Sequence, residues 1–150
     1  MNIIRSDAEV IMHDAFVALE ETVDQYADSA EFLDESPVAT YFKKLSHERL
    51  KLLSALAEVI RQQGSLPPAA DEDTESFLLA LQHLFASLAG NAISLVVEQC
   101  LHKENDIKAR LKALLTLDGP SEQQSLFKEI YQSHRRARLY LRLLHRDRVA

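Results

Sequence analysis

Histidine and glutamate side chains can bind a metal, and their spacing in this chain shows whether a known metal-binding pattern is present. The stretch LSHERLKLL, residues 45–53, begins like the helix of a zinc protease, in which two histidines lie four residues apart and a glutamate follows the first. His47 and Glu48 are present, but Lys51 occupies the position of the second histidine. A lysine ammonium has no lone pair for a metal, so the sequence predicts no zinc site of this kind.

Polar residues interrupt the apolar stripes of the predicted long helices near the middle of each helix. Arg49, Glu104 and His134 lie where the spacing of three and four residues requires an apolar side chain. Glu20 lies at the edge of the first stripe, and Glu48 precedes Arg49. Because the midpoints of packed helices of similar length coincide, we expect these residues to form one polar layer at the centre of a bundle.

Four long helices and one short helix position these residues. Ser6 to Glu9 has the pattern of a capping box, and Ser36 followed by Pro37 marks a second helix start. Gly64 marks a helix end. No segment favours a strand over a helix. The predicted helices span residues 7–32, 37–63, 75–89, 92–117 and 121–146.

The order of the helices predicts how they are connected. Short turns join the first long helix to the second and the third to the fourth, which gives two antiparallel hairpins. The connection between the hairpins is long and carries the short helix. A long crossover is typical of ferritin-like bundles, whereas simple up-down-up-down bundles have short loops. The sequence therefore predicts an all-α, ferritin-like four-helix bundle that forms a single domain over residues 1–150.

The chain resembles a bacterial ferritin-like family of unassigned function along nearly its whole length. The matching stretches are YFKKLSHERLKLLSAL, LFASLAGNAISLVVEQCLHKENDIKARLKALL and FKEIYQSHRRARLYL. The resemblance implies a four-helix bundle, and ferritin-like proteins hold their metals in the central layer of such a bundle. The residues that carry the resemblance are Glu48, Arg49, Glu98, Cys100, Glu104, Glu129 and His134.

The chain departs from the metal-binding pattern of ferritin-like proteins. A di-iron bundle uses a glutamate from each of two helices and a Glu-x-x-His from each of the other two, and this chain contains no Glu-x-x-His. Arg49 occupies a ligand-bearing position, and a guanidinium cannot bind a cation. Two interpretations of Arg49 stay open. It forms a buried network with Glu104 or Glu48 and with His134, or it extends along the core surface into water.

A metal centre stays open as an alternative. It would bind iron or manganese and would make the protein an oxidoreductase or a metal store; otherwise no cofactor is expected. The five histidines other than His134 are predicted to be ordinary surface or edge residues. The ligands available to such a centre are Glu20, Glu48, Glu104, Glu129 and His134.

Composition narrows the classes of function. The chain has 150 residues and a formal net charge of −6, which argues against binding to nucleic acid or to an anionic membrane. No stretch approaches the roughly 20 apolar residues of a membrane span. The single cysteine, Cys100, excludes an internal disulfide and favours a cytoplasmic location. Its position on an apolar stripe predicts a packed core thiol rather than a nucleophile.

Two surface features predict contacts with partners. The first 35 residues carry ten acidic side chains against Arg5 alone, so the arginines of the last helix have candidate counter-charges within the chain, on a second copy or on an acidic protein. The crossover helix is too apolar to pack wholly against one bundle and predicts a homodimer face through Phe77, Leu81 and Phe85. The arginines are Arg135, Arg136, Arg138, Arg142, Arg146 and Arg148.

Together these patterns favour a non-enzymatic bundle with a structural, regulatory or interaction role. In this interpretation the metal layer of the ferritin-like fold has become a buried polar network. The alternatives are the metal-dependent oxidoreductase or store described above, and a partner-binding module that works through the arginine-rich last helix.

Overall fold

The computed structural model describes residues 6–34, 36–69, 77–87 and 91–149, without the side chains of Ser87, Arg148 and Val149. The regular structure in these ranges is helical throughout, which confirms the all-α prediction. None of the described helices is long and apolar enough to cross a membrane. The helices are α1 (Asp7–Leu33), α2 (Pro37–Gln62), α3 (Phe77–Ser87), α4 (Ala92–Ala113) and α5 (Ser121–Val149), and a 3₁₀ turn at Leu114–Thr116 follows α4.

The helix boundaries lie within a few residues of the predicted ones. The predicted third long helix, 92–117, changes at Leu114 from α to 3₁₀ geometry, which tightens its last turn. Residues 75, 76, 88 and 89 of the predicted crossover helix lie outside the described residues, as does the side chain of Arg148.

Side-chain and glycine caps fix the ends of the first two helices. Ser6 Oγ accepts a hydrogen bond from the Glu9 amide at 3.2 Å, and Ser36 Oγ accepts from the Ala39 amide at 3.1 Å. Both bonds satisfy amides of a first helical turn that have no partner within the helix. At the end of α2, Gly64 adopts a φ of 81°, a left-handed conformation that glycine takes without steric cost. The sequence predicted all three of these ends.

The four long helices pack in a ring in the order α1, α2, α5, α4, and neighbours are antiparallel. Between α1 and α2, Ser46 Oγ donates to the Val23 carbonyl at 2.8 Å, and the rings of Tyr26 and Phe42 stack at 5.4 Å. Later residues of α1 therefore meet earlier residues of α2. Contacts between residue pairs show the relative directions of the other neighbouring helices. The pairs are Glu21 with Lys103 and Ser29 with Cys100 for α1 and α4, Glu104 with His134 for α4 and α5, and Arg49 with Ser133 and Tyr41 with Tyr140 for α2 and α5.

The apolar core of the described residues consists of two clusters, one towards each end of the helix bundle. One cluster centres on Leu19, Leu56 and Ile107, and the other on Phe42 and Val97. Helix α3 packs mainly on α1, where the Leu78 amide donates to Asp28 Oδ2 at 3.2 Å. Polar residues occupy the space between the clusters.

Candidate functional site

A buried polar layer crosses the bundle between the two apolar clusters. Arg49 of α2, Glu104 of α4 and His134 of α5 are each 0% exposed. Each lies near the midpoint of its helix. The structure thus brings together the three residues that interrupt the apolar stripes. It also overturns the alternative in which Arg49 extends into water, because the whole side chain is enclosed.

Every N–H donor of the Arg49 guanidinium has an acceptor. Nε donates to Ser133 Oγ at 2.9 Å, and Nη1 donates to Thr22 Oγ1 at 3.2 Å and Glu104 Oε2 at 3.4 Å. Nη2 donates to Glu104 Oε1 and to the Ser133 carbonyl at 3.3 Å. A guanidinium has five N–H donors, and these five bonds use all of them. Two of the bonds reach one carboxylate, which is the bidentate geometry of strong arginine–carboxylate pairs.

The pairing keeps both groups charged despite their burial. Burial alone raises the pKa of Glu104, but the positive charge of Arg49 and the hydrogen bonds to the carboxylate outweigh it and hold that pKa below its ordinary value. Burial likewise opposes the charge on Arg49, yet the negative charge of Glu104 leaves the pKa of Arg49 above its ordinary value. The layer therefore contains an ion pair at neutral pH.

Tyr26 lies against the ion pair. The guanidinium carbon of Arg49 is 5.5 Å from the centroid of the Tyr26 ring, within the range of a cation–π contact. Burial and the nearby charge of Glu104 raise the pKa of Tyr26 well above its ordinary value, so the phenol stays protonated. The aromatic ring shields one side of the guanidinium without adding a charge.

His134 borders the other side of the carboxylate. Its Nδ1 is 3.8 Å from Glu104 Oε1, longer than a hydrogen bond but within the range of an ion pair if the ring is protonated. Within the described residues neither ring nitrogen of His134 has a hydrogen-bond partner, and neither does the Tyr26 hydroxyl. His134 is thus the least tightly held member of the layer.

The three other carboxylates that were candidates for the layer or for a metal centre are not buried. Glu48 has a half-exposed side chain and accepts a hydrogen bond from Arg136 Nη2 at 2.8 Å at the surface. Glu20 is only partly buried; desolvation, followed by repulsion from Asp24 and Glu21, raises its pKa. Glu129 is exposed. The prediction for Glu48 is therefore wrong, because its carboxylate pairs with Arg136 at the surface and not within the layer. Glu20 forms no hydrogen bond or ion pair with the layer within the described residues, so its place beside the layer stays a prediction.

The structure adds residues that the stripes did not identify. Thr22 and Ser133 supply hydroxyl acceptors to Arg49, and the Thr22 hydroxyl in turn donates to the Leu19 carbonyl at 2.7 Å. Serine and threonine occur on buried as well as on exposed helix faces, so their residue types alone did not predict this role. The available signal was position, since Ser133 directly precedes His134 and Thr22 lies one turn before Tyr26.

Metal-binding geometry is absent from the part of the chain that the structure describes. No group of three or more histidine, cysteine, aspartate or glutamate side chains converges there. Of the five candidate ligands, only Glu104 and His134 lie together, and Arg49 already binds both oxygens of that carboxylate. The prediction that His13 is an ordinary surface or edge residue is wrong, because His13 is buried and its Nε2 lies 3.1 Å from Ser65 Oγ.

Cys100 is a buried core thiol, and we expect it to be chemically silent in the native protein. Its sulfur contacts Ser29 Oγ at 3.4 Å, and burial raises its pKa to about 12. Since the thiolate is the reactive form, its reaction with Ellman's reagent at pH 8 should be on the order of a thousandfold slower in the folded than in the unfolded chain. Equal rates with and without denaturant would contradict this placement.

The predicted interaction surfaces are partly exposed. Arg135 and Arg142 are exposed on α5, and Arg138 is half-buried and donates to Asn105 Oδ1 at 2.8 Å. On α3, Leu81 is fully buried against the bundle, which removes it from the predicted homodimer face, while Phe85 stays exposed. Phe77 is half-buried against the cluster around Phe42.

No protein-family model, no curated protein and no solved structure matches the chain. The function of the layer therefore has to be argued from its own contacts and charges.

Proposed function

We propose that this chain is a ferritin-like four-helix bundle in which an Arg49–Glu104 ion pair occupies the metal layer, and that it acts by contacting partner proteins rather than by catalysis. The arrangement of the helices supports the fold assignment. Helices α2 and α4 point the same way and lie on one diagonal of the ring, so the connection between them has to cross the bundle. A long crossover between two antiparallel hairpins is typical of ferritin-like folds.

The observation that carries the proposal is the complete pairing of Arg49. A dimetal centre in such a bundle draws on four carboxylates and two histidines, whereas the layer offers one of each. Both oxygens of Glu104 already accept hydrogen bonds from Arg49. A divalent cation placed beside Glu104 would also be repelled by the guanidinium charge in an environment that screens charges poorly.

In this proposal the layer fixes how the helices align. Arg49 on α2 binds Thr22 on α1, Glu104 on α4 and Ser133 on α5. A shift of any helix by one turn would leave part of this set unpaired in the core, which is strongly unfavourable. The proposed role is thus to hold one helix register, and with it one set of outer surfaces, in a protein of the cytoplasm.

Elemental analysis tests this proposal directly. We expect protein produced with added iron and manganese, and purified without a chelator, to contain far less than one metal per chain. Near-stoichiometric iron or manganese that is lost in Glu104→Ala, but kept in the exposed-site control Glu122→Ala, would overturn it. That result would identify the protein as a metal-dependent oxidoreductase or metal store with an unusual ligand set.

The arginine-rich face of α5 is the second part of the proposal, as a surface for binding a partner. The side chains of Leu139 and Leu143 are 61% and 48% exposed there. A partner bound to this face would bury the two leucines and pair with the arginines, so that apolar contact would supply affinity and charge would supply specificity.

A further inference from the structure

The outer face of α1 alternates acidic and apolar side chains. The stripe consists of Asp7, Val10, Asp14, Val17 and Glu21, spaced by three and four residues so that all five lie along one side of the helix. All are exposed except Val17, which is half-buried, and Val10 is 42% exposed. Asp7 and Asp14 take part in no ion pair within the described residues.

The outer face of α5 has the matching pattern with the opposite charge. Arg135, Leu139, Arg142 and Arg146 follow one another at spacings of four, three and four residues, and Leu143 lies beside them. Gln132, Arg135, Leu139 and Arg142 are among the residues that line a surface groove of about 440 Å³. Within the described residues Arg135, Arg142 and Arg146 form no ion pair, whereas Arg136 is bound to Glu48.

The two stripes have the same repeat. Asp7 and Asp14 are seven residues apart, as are Arg135 and Arg142, and each interval corresponds to about 10.5 Å along a helix. Val10 lies between the two aspartates as Leu139 lies between the two arginines. Two helices packed side by side would therefore bring two acid–arginine pairs together with an apolar contact between them.

The two stripes cannot meet within one chain. Helices α1 and α5 occupy one diagonal of the ring, so their outer faces point in opposite directions. A copy that uses both faces needs a neighbour on each side. The net charge of −6 opposes association at long range, but at about 0.15 M salt that repulsion is screened beyond roughly 8 Å, and the paired stripes interact at contact.

We propose that the α5 stripe of one copy binds the α1 stripe of a second copy, head to tail. This inference rests on the proposed function, since it names the partner of the α5 surface. The contact is heterologous, because the two surfaces that meet are different, and such contacts produce open chains or closed rings rather than symmetric dimers. The surface that the α5 stripe binds is an exposed helix face on which carboxylates alternate with valines.

Analytical ultracentrifugation of the full chain tests this proposal by comparing the wild type with variants in which the charges of one stripe are removed. We expect the mean mass to rise with protein concentration in dilute salt and to fall towards the monomer in about 0.5 M sodium chloride. Asp7→Asn/Asp14→Asn removes the charges of one face, and Arg135→Gln/Arg142→Gln those of the other. Each variant alone should associate at least about tenfold more weakly, because both ion pairs are lost.

Mixing the two variants provides the decisive measurement. Each variant keeps one working face, so an equimolar mixture should form one-to-one dimers and grow no further. Control variants with the same change in net charge, Lys44→Gln/Lys51→Gln on α2 and Glu122→Gln/Glu129→Gln on α5, alter exposed residues outside both stripes and should associate like the wild type. Circular dichroism checks that all variants stay folded.

A chain that stays monomeric at every concentration and salt, or a mixture of variants that forms no dimer, would overturn the proposal. Binding of a foreign acidic helix by α5 without self-association would also overturn it and would assign the surface to a different protein. None of these outcomes bears on the ion-pair layer, because the metal content of the chain tests separately whether the layer holds a metal.

Discussion

Replacement of Arg49 by methionine is expected to lower the free energy of unfolding by about 3–5 kcal/mol. Arg49 and Glu104 are both fully buried, so removal of the guanidinium leaves a carboxylate in the core without its counter-charge. Methionine has an unbranched side chain that fills much of the same space. The loss of stability is therefore due mainly to the unpaired charge of Glu104 and only to a small extent to a cavity. The free energy of unfolding is measured by urea denaturation, with circular dichroism as the probe of helix content.

Removal of both charges should restore most of this stability. In Arg49→Met/Glu104→Leu the layer becomes apolar, and buried ion pairs replaced by apolar side chains of similar volume are often neutral or more stable. We expect the double variant to lie within about 1 kcal/mol of the wild type, or above it. The difference between the double variant and the sum of the single variants gives the coupling energy of the pair.

An exposed arginine on the same helix serves as the control. The side chain of Arg61 is 56% exposed, and its Nη1 lies 3.7 Å from Glu58 Oε2. Arg61→Met should therefore lower the free energy of unfolding by less than about 1 kcal/mol. Equal losses in Arg61→Met and Arg49→Met would show that burial of the ion pair is not the cause. A double variant as unstable as Arg49→Met would show that packing, and not the unpaired carboxylate, dominates.

The position of the layer could be predicted from the sequence because α2, α4 and α5 have long apolar stripes. At Arg49, Glu104 and His134 the stripe continues on both sides of the polar residue, which places the backbone of that residue on the core-facing side of its helix. Glu20 and Glu48 are different, since each lies at the edge of a stripe. There a small rotation of the helix decides between core and surface, and helical periodicity does not determine that rotation.

The partners of Arg49 could be predicted only in part. A buried guanidinium requires a carboxylate, and Glu104 was one of two candidates that the spacing allowed. The hydroxyls of Thr22 and Ser133 and the carbonyl of Ser133 depend on how α1 and α5 turn about their own axes. The packing of all four helices sets those angles, so they follow from tertiary contacts and not from any local pattern.

The stability of the protein is expected to fall as the pH drops below about 4.5. The folded pKa of Glu104 lies below its unfolded value near 4.5, so the unfolded chain binds more protons through this window. The contribution of Glu104 is therefore complete above the unfolded pKa and is lost as the pH falls through the folded pKa. One such group changes the free energy of unfolding by at most about 1.4 kcal/mol per pH unit.

The double variant isolates this contribution from that of the other carboxylates. Glu20 and Asp28 have raised pKa values, so their contribution to the free energy of unfolding changes with pH in the opposite direction. That contribution is the same in the wild type and in the double variant and cancels in the difference. The stability difference between the wild type and Arg49→Met/Glu104→Leu should shift towards the double variant as the pH falls below 4.5. A difference that stays flat down to pH 3 would mean that Glu104 is not held as a carboxylate by Arg49. In that case the layer would lack the charge that the proposed alignment of the helices requires.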